Sequence, residues 1–555
     1  MVKQKIEFDI GGMTCSSCAI HVKKSLLSVL GVENVDVPGW ESGKATVITD
    51  QEVNTKTLSS AVANAGYLAS VKSIQNLETP AGSELAAQKN VDFDLLVIGG
   101  GSGGFAAAIK GEELGYRVGI INGGTIGGTC VNVGCVPSKT LIRAAEAWHN
   151  AGYHPFLGVK TSQTNLDWHV VRDQKDELIK GLRQKKYVNV LDAYPNIKLI
   201  KGYATFAADG SIHVGDKSYR ALRYVIATGS QPRVLPIPGL TEAQPLTSTT
   251  LMDLDELPKS LIILGGRAVA LELGQTMARL GVKVLILQRS PRLVPDHEPE
   301  IGRAIQEYLE QEGITILTGV EIERVSREGE IRSVHTRLMG QSRAFEADQI
   351  LVALGRQPNT IGLGLDQVGV KQDHNGAIIV NEFQQTSNPI IYASGDVTPN
   401  PDYVYVAAAS GTLAVINAMN GNQKPLDLSA LPGVIFTDPQ IATVGLTEEN
   451  AKHQGYEVKV KILPLEYVPR ALAARDVRGL IKMVVDNRSG TILGVHVLAA
   501  EAGEVIQTAT MAVKFGLKVS DLTETLFPYL TQVEGLKLAA LSFTKDVDKL
   551  SCCAG

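Results

Sequence analysis

The chain has 555 residues, 44% of them hydrophobic and 20% charged, which is enough for roughly three or four domains with cores of their own. A formal net charge of −5 gives no electrostatic reason to expect nucleic acid or an anionic membrane surface as a partner. No apolar run approaches the roughly 20 residues that span a bilayer, and no signal-peptide core stands at the start, so a cytoplasmic chain without membrane insertion is expected.

Residues 1–72 have the size of a small domain. Ile6-Glu7-Phe8-Asp9-Ile10 alternates as a strand does, a glycine turn carries Gly12-Met13-Thr14-Cys15-Ser16-Ser17-Cys18, and residues 21–30 have helical periodicity. Strand and helix signals recur at 44–48 and 57–65. Cys15 and Cys18 suit a soft metal ion, because thiolates prefer soft cations and a neighbouring helix N-terminus lowers thiol pKa. A thioredoxin-like redox motif is the alternative for such a pair, but no Trp precedes it. Met13 is expected in the core and not as a ligand. Loop, spacing and element order resemble the heavy-metal-associated domain, a ferredoxin-like βαββαβ fold whose Met-Thr-Cys-x-x-Cys loop binds soft cations through two thiolates. Residues 73–92, rich in Ser, Glu, Gln, Ala and Asn, read as a flexible linker that raises the local concentration of the small domain around the large one.

Gly99, Gly101 and Gly104 then form a Gly-x-Gly-x-x-Gly run between the strand Phe93-Asp94-Leu95-Leu96-Val97-Ile98 and an Ala-rich helix at 105–114, with a second strand at 117–121. A dinucleotide fingerprint requires this context, in which helix N-terminal amides hold a pyrophosphate. Asn122 stands at the end of the second strand, where an acidic ribose ligand is usual. Its amide can still bond ribose hydroxyls, without the charge.

The stretch Gly127-Gly128-Thr129-Cys130-Val131-Asn132-Val133-Gly134-Cys135-Val136-Pro137-Ser138-Lys139 follows. Cys130 and Cys135 can lie about one helical turn apart, within the roughly 7 Å between Cα atoms that a disulfide tolerates, so the pair can open and close. The glycines let backbone approach a flat ligand, and Lys139 falls on the next helical turn. A redox-active dithiol is the reading. A static disulfide is the alternative, disfavoured beside a nucleotide-binding unit in a cytosolic chain. All six cysteines fall in close pairs, the third being Cys552 and Cys553.

A second unit starts at Ser260-Leu261-Ile262-Ile263-Leu264-Gly265-Gly266-Arg267 and continues to Glu272, with its next strand at 283–287. Arg267 replaces the middle glycine. Arg289, with Arg292 nearby, follows the second strand where no carboxylate would repel a 2′-phosphate, so NADPH is expected over NADH. Solvated surface arginines are the alternative. Glycine-ended strands at 225–229, 353–359 and 391–397 mark passages between dinucleotide domains.

Over residues 93–555 these features resemble the two-dinucleotide flavoprotein disulfide reductases. The resemblance implies an α/β fold: an FAD-binding domain in two parts (93–245 and 351–430), a Rossmann-like NADPH-binding domain (246–350), and an α+β dimerisation domain (431–555) that closes a homodimer. It implies that Gly99, Gly101, Gly104, Asn122, Thr129, Lys139, Gly229 and Asp396 serve FAD and that Gly265 and Arg289 serve NADPH. Lys139 would lie near the flavin N5 edge, Cys135 would be the thiolate facing the flavin ring, and Glu272 would pair with Lys139.

Members that reduce organic disulfides carry a His-Pro-Thr-x-x-Glu element whose imidazole moves the substrate's proton. Here Phe527-Pro528-Tyr529-Leu530-Thr531-Gln532 stands instead, and the last histidine is His496. The chain adds the tail Ser551-Cys552-Cys553-Ala554-Gly555, whose adjacent thiols form a disulfide only with strain and so stay available as thiolates. Together with Cys15 and Cys18 this resembles the mercuric ion reductase family in its long form, over essentially the whole chain. The resemblance implies NADPH-dependent reduction of Hg(II) to Hg(0) through FAD. Cys15 and Cys18 would collect the ion from mercury-carrying thiols or a mercury transporter, and Cys552 and Cys553 would pass it into the partner subunit's site. There Cys130 and Cys135 would hold it, with Tyr529 lining the site. The competing readings are a dihydrolipoyl or glutathione-type reductase and a metal-sequestering protein on a degenerate flavoprotein body.

Overall fold

The computed structural model describes residues 3–14, 16–49, 53–77 and 91–549. The N-terminal unit is βαββαβ. Its four strands form one antiparallel sheet in the order Val32–Asp36, Lys44–Thr49, Lys3–Gly11, Leu68–Leu77, with helices Ser16–Leu27 and Thr55–Asn64. Alternation places Ile6, Phe8 and Ile10 in a core with Val22, Leu26, Leu58 and Val62, and Met13 is buried there as expected. Asn54 starts the second helix, its Oδ1 accepting the Lys56 N–H at 3.0 Å. The last strand runs to Leu77, past the boundary expected at residue 72, because Ser73 pairs with Glu7 and Leu77 with Lys3.

The large unit contains three main sheets. The first is parallel, in the order Ile391–Ala393, Ala221–Ile226, Phe93–Ile98, Val118–Asn122, Ile197–Lys201. Its central strand reads as an almost unbroken apolar run because both faces are covered. The edge strand Ile391–Ala393 comes from far along the chain, which returns to this sheet after completing the second. That second sheet is also parallel, Thr315–Thr318, Lys283–Gln288, Ser260–Leu264, Gln349–Val352. The helices Ser102–Glu113 and Ala268–Arg279 follow the two glycine turns.

The C-terminal sheet is antiparallel, Gly433–Ile435, Gln440–Gly445, Ile492–Ala499, Leu480–Asp486, Val458–Pro464, and packs with helices Ala502–Lys514 and Glu534–Leu541. Lys482 is buried on it and is met by three carboxylates, Glu298 at 2.8 Å, Glu448 at 2.9 Å and Glu300 at 3.1 Å. Two of these carboxylates come from the segment after the second sheet's strand, so the ion cluster ties that segment to the C-terminal sheet. The architecture is the expected α/β one, with two dinucleotide-binding domains, an α+β C-terminal domain and a ferredoxin-like domain before them. Among the described residues no helix is long and apolar enough to cross a membrane.

Candidate active site

The glycine turn after the central strand exists because side chains are excluded there. A Cβ on Gly99, whose φ is +120°, would lie 2.2 Å from the Ala227 carbonyl oxygen, and one on Gly104 would lie 1.9 Å from the Gly99 oxygen. Helix and strand can therefore meet only through glycine. The second turn repeats the device, since a Cβ on Gly265, with φ +119°, would meet the Ala353 oxygen at 2.4 Å. Arg267 sits in extended backbone at φ −111°, so no glycine is required, and its side chain is ion-paired with Asp296.

Behind the first turn, the dithiol loop lies close against the glycines: Gly127 N–H donates to the Gly100 oxygen at 2.8 Å, and a Cβ on Gly128 would lie 2.6 Å from Gly101 Cα. Asn132 fixes the loop from within, donating to the carbonyls of Ile126 at 3.0 Å and Gly128 at 2.8 Å while accepting from Arg183 Nε at 2.8 Å. Cys130 belongs to the short helix Gly128–Asn132, and Cys135 is the first residue of helix Cys135–Gly152. The two are not joined in a disulfide.

Their thiols are hydrogen-bonded to each other, and this contact holds the Cys135 pKa down to about 7, helped by the Lys139 cation and opposed by burial. Cys130, the partner that keeps its proton, is pushed up by the same contact and by burial. Lys139, one turn further on, donates to Glu272 Oε2 at 2.6 Å, and its ammonium lies 4.7 Å from the centre of the Phe436 ring. The other carboxylate oxygen of Glu272 accepts the Phe436 N–H at 2.9 Å, and Glu272 is only 6% exposed.

The first glycine turn, the dithiol and the Lys139–Glu272 pair face one cavity of about 1200 Å³, larger than the roughly 300–1000 Å³ of an ordinary small-molecule cleft. Gly99, Gly101, Asn122, Thr129, Cys130, Cys135, Lys139, Gly229, Glu272 and Asp396 are on its wall. Gly104 supports the turn from behind. Asp396 is held by Ser230, whose hydroxyl donates to it at 2.9 Å and accepts from Arg356 Nε at 2.7 Å. A side-chain-free cradle at a helix N-terminus, opening on a cavity of this volume, fits a dinucleotide cofactor.

Several expectations change. Asn122 lines the cavity, but its amide accepts the Gly100 N–H at 3.2 Å and donates to the Gly124 carbonyl at 2.6 Å, so it clips the turn as well. Arg292 folds back on the carbonyls of Pro295 at 2.6 Å and His297 at 3.5 Å, while Arg289 is exposed. Tyr529 is 49% exposed and does not line the cavity within one chain. Cys15, Cys552 and Cys553 lie outside the described residues. Cys18 is in the first turn of its helix, with Sγ accepting the Thr14 N–H at 3.5 Å.

Sequence reasoning missed Phe436 and Asn132. Asn132 could have been suspected from its place between the cysteines. Phe436 is 164 residues from Glu272, and no local pattern joins them.

Comparison with known proteins bears on this site. Residues 93–411 match the pyridine nucleotide-disulphide oxidoreductase family, residues 431–540 its dimerisation domain, and residues 7–67 the heavy-metal-associated domain. Mercuric reductase of Lysinibacillus sphaericus is 45% identical over 552 residues, covering 99% of this chain and 100% of its own. Mercuric reductase of Staphylococcus aureus is 42% identical over 555 residues, covering 100% of both. The chain belongs to the mercuric reductase family. Among solved structures, the Cu(II) complex of the HOCl-induced flavoprotein disulfide reductase RclA from Escherichia coli is similar at 31% identity with a TM-score of 0.73, over 81% of this chain and 100% of that one. Membership in the mercuric reductases agrees with a cavity that keeps the dithiol on its wall.

Proposed function

We propose that this chain reduces Hg(II) to Hg(0) with electrons from NADPH, and that Cys130 and Cys135 hold the ion as it is reduced. The observation that carries the reading is the open dithiol on the cavity wall, with one thiol brought to a pKa of about 7 beside the Lys139 cation. Hg(II) is an extreme soft cation that favours two thiolates in line, and so low a coordination number leaves room for an incoming thiol to exchange. A site with one thiol already near ionisation has one fewer proton to displace when the ion binds.

FAD, when bound, would supply the two-electron exchange between the hydride donor and the ion that the thiols hold. The residues that would hold it are the glycines at 99, 101 and 104, with Asn122, Thr129, Lys139, Gly229 and Asp396. Gly265 and Arg289 would hold NADPH.

The relay extends outward from this centre. Cys15 and Cys18 collect the ion, residues beyond Leu77 tether that collector, and Cys552 and Cys553 deliver to the dithiol of the partner subunit in a cytoplasmic homodimer. Tyr529, exposed in one chain, reaches the partner's site in the same way and excludes bulky thiol substrates. The test is NADPH oxidation with Hg(II) compared with oxidised glutathione and lipoamide, together with measurement of volatilised Hg(0). Turnover of the organic disulfides without Hg(0) would replace this reading with that of a disulfide reductase.

A further inference from the structure

We propose that Tyr203 and Ile361 grip the adenine of FAD, and that this apolar hold stands in for the charged ribose contact the chain lacks. The proposal rests on FAD as the occupant of the large cavity, as in the reading above. In a dinucleotide-binding unit the pyrophosphate lies on the glycine turn, the ribose at the end of the second strand, and the base beyond it. The usual ribose ligand at that strand end is a carboxylate. Here it is Asn122, which has no charge and is already bonded to the Gly100 N–H at 3.2 Å and the Gly124 carbonyl at 2.6 Å. A weaker polar contact at the ribose leaves the grip on the adenosine half to the groups beyond it.

Two segments meet at that end of the cavity. The Asn122 carbonyl accepts the Gly202 N–H at 3.0 Å, so the residues after Gly202 stand beside the end of the second strand. Gly202 has φ +139°, and a Cβ there would meet Val214 Cγ1 at 2.4 Å, so glycine makes the bend that presents Tyr203. The second segment is clipped to the first, with Thr205 Oγ1 donating to the Gly362 carbonyl at 2.9 Å and the Phe206 N–H to the Leu363 carbonyl at 2.8 Å. These bonds bring Ile361 to the end that Tyr203 occupies, and both line the cavity with Asn122 and Gly123.

Both side chains stand open, Tyr203 being 79% exposed and Ile361 84%. One exposed apolar side chain is ordinary on any protein surface. Two of them, on loops clipped side by side at the mouth of a nucleotide cavity, form a surface for a flat base. The Tyr203 ring lies against Gly123, where a Cβ would meet three ring carbons at 2.5, 2.7 and 2.7 Å, so the bare glycine lets the ring sit close to the strand end. A purine offers a π-face to such a ring, and truncating a base–aromatic stack costs roughly tenfold or more in affinity.

The experiment titrates the full-length chain, freed of flavin, with FAD and separately with FMN, and reads each dissociation constant by calorimetry. FMN shares the flavin, the ribityl chain and one phosphate with FAD but has no adenosine. Tyr203→Ala should weaken FAD at least about tenfold and leave FMN within twofold of wild type. Tyr203→Phe should keep FAD within twofold, because the ring and not the hydroxyl makes the contact. Ile361→Ala should weaken FAD at least about threefold, again sparing FMN. FAD affinity within twofold of wild type in either Tyr203→Ala or Ile361→Ala overturns the proposal. So does an equal loss for FAD and FMN, which would make the two side chains supports of the cavity. A loss in Tyr203→Phe as large as that in Tyr203→Ala overturns it too, by making the contact a hydrogen bond from the hydroxyl. Wild-type chain that binds neither flavin nucleotide would instead overturn the assignment of FAD to the cavity.

Discussion

The thiols of Cys130 and Cys135 share one hydrogen bond, and that contact, more than the nearby cation, sets which of them carries charge. A thiol whose pKa is lowered to about 7 is a thiolate above that pH and a thiol below it. The thiolate absorbance of the reduced enzyme should therefore rise with a midpoint near 7. Lys139→Gln removes a stabilising cation and should move the midpoint up by about one unit. Cys130→Ala removes the larger cause and should move it further. A larger effect from Lys139→Gln would reverse this assignment of causes.

Arg289 gives a test of cofactor choice. It is exposed at the end of the second sheet's strand, while Arg292 is occupied by backbone carbonyls. Arg289→Glu replaces attraction for a 2′-phosphate with repulsion, so KM for NADPH should rise by about tenfold or more while KM for NADH changes little. Equal changes for both nucleotides would place Arg289 away from the phosphate.

The glycine cradle and the dithiol were legible in the sequence because both are local. The exclusion of Cβ at Gly99 and Gly104, and a helix beginning at Cys135, depend on residues within one turn or on a neighbouring strand. What was not legible depends on distant segments. Phe436 reaches Glu272 from the C-terminal domain, and nothing near either residue marks that contact. Arg292 looked like a phosphate ligand beside Arg289, yet the loop carries it back onto Pro295 and His297. Tyr529 could be placed only by resemblance, since one chain leaves it exposed. The end of the small domain was misjudged because residues 73–77 are polar enough to read as linker, although their backbone completes a sheet.

The buried cation Lys482 makes a stability prediction. Lys482→Met would leave Glu298, only 3% exposed, facing Glu300 and Glu448 without a counter-ion. Breaking such a cluster from one side should cost about 3–5 kcal/mol, read as a lowered denaturation midpoint. A loss below about 1 kcal/mol would mean that the cluster is solvated like a surface pair.

The three thiol stations should differ in what they can lose. Removing residues 1–92 takes away a collector but leaves the cavity, the inner pair and the tail, so turnover of Hg(II) carried by small thiols should persist. Changing Cys552 and Cys553 to Ala removes instead the step between solvent and the inner pair. Hg(II) held by halides can shed them and diffuse to Cys130 and Cys135 unaided. Hg(II) held by two bulky thiols needs incoming thiolates to displace them, and Cys135 is only partly exposed on the cavity wall. The double variant should therefore lose thiol-complexed turnover at least about tenfold more than halide-complexed turnover, a difference of about 1.4 kcal/mol in barrier. If both substrates fell equally, the tail would act in folding or in reduction itself. If neither fell, the relay would be wrong at its middle station, and the inner pair would have to capture thiol-bound mercury without help.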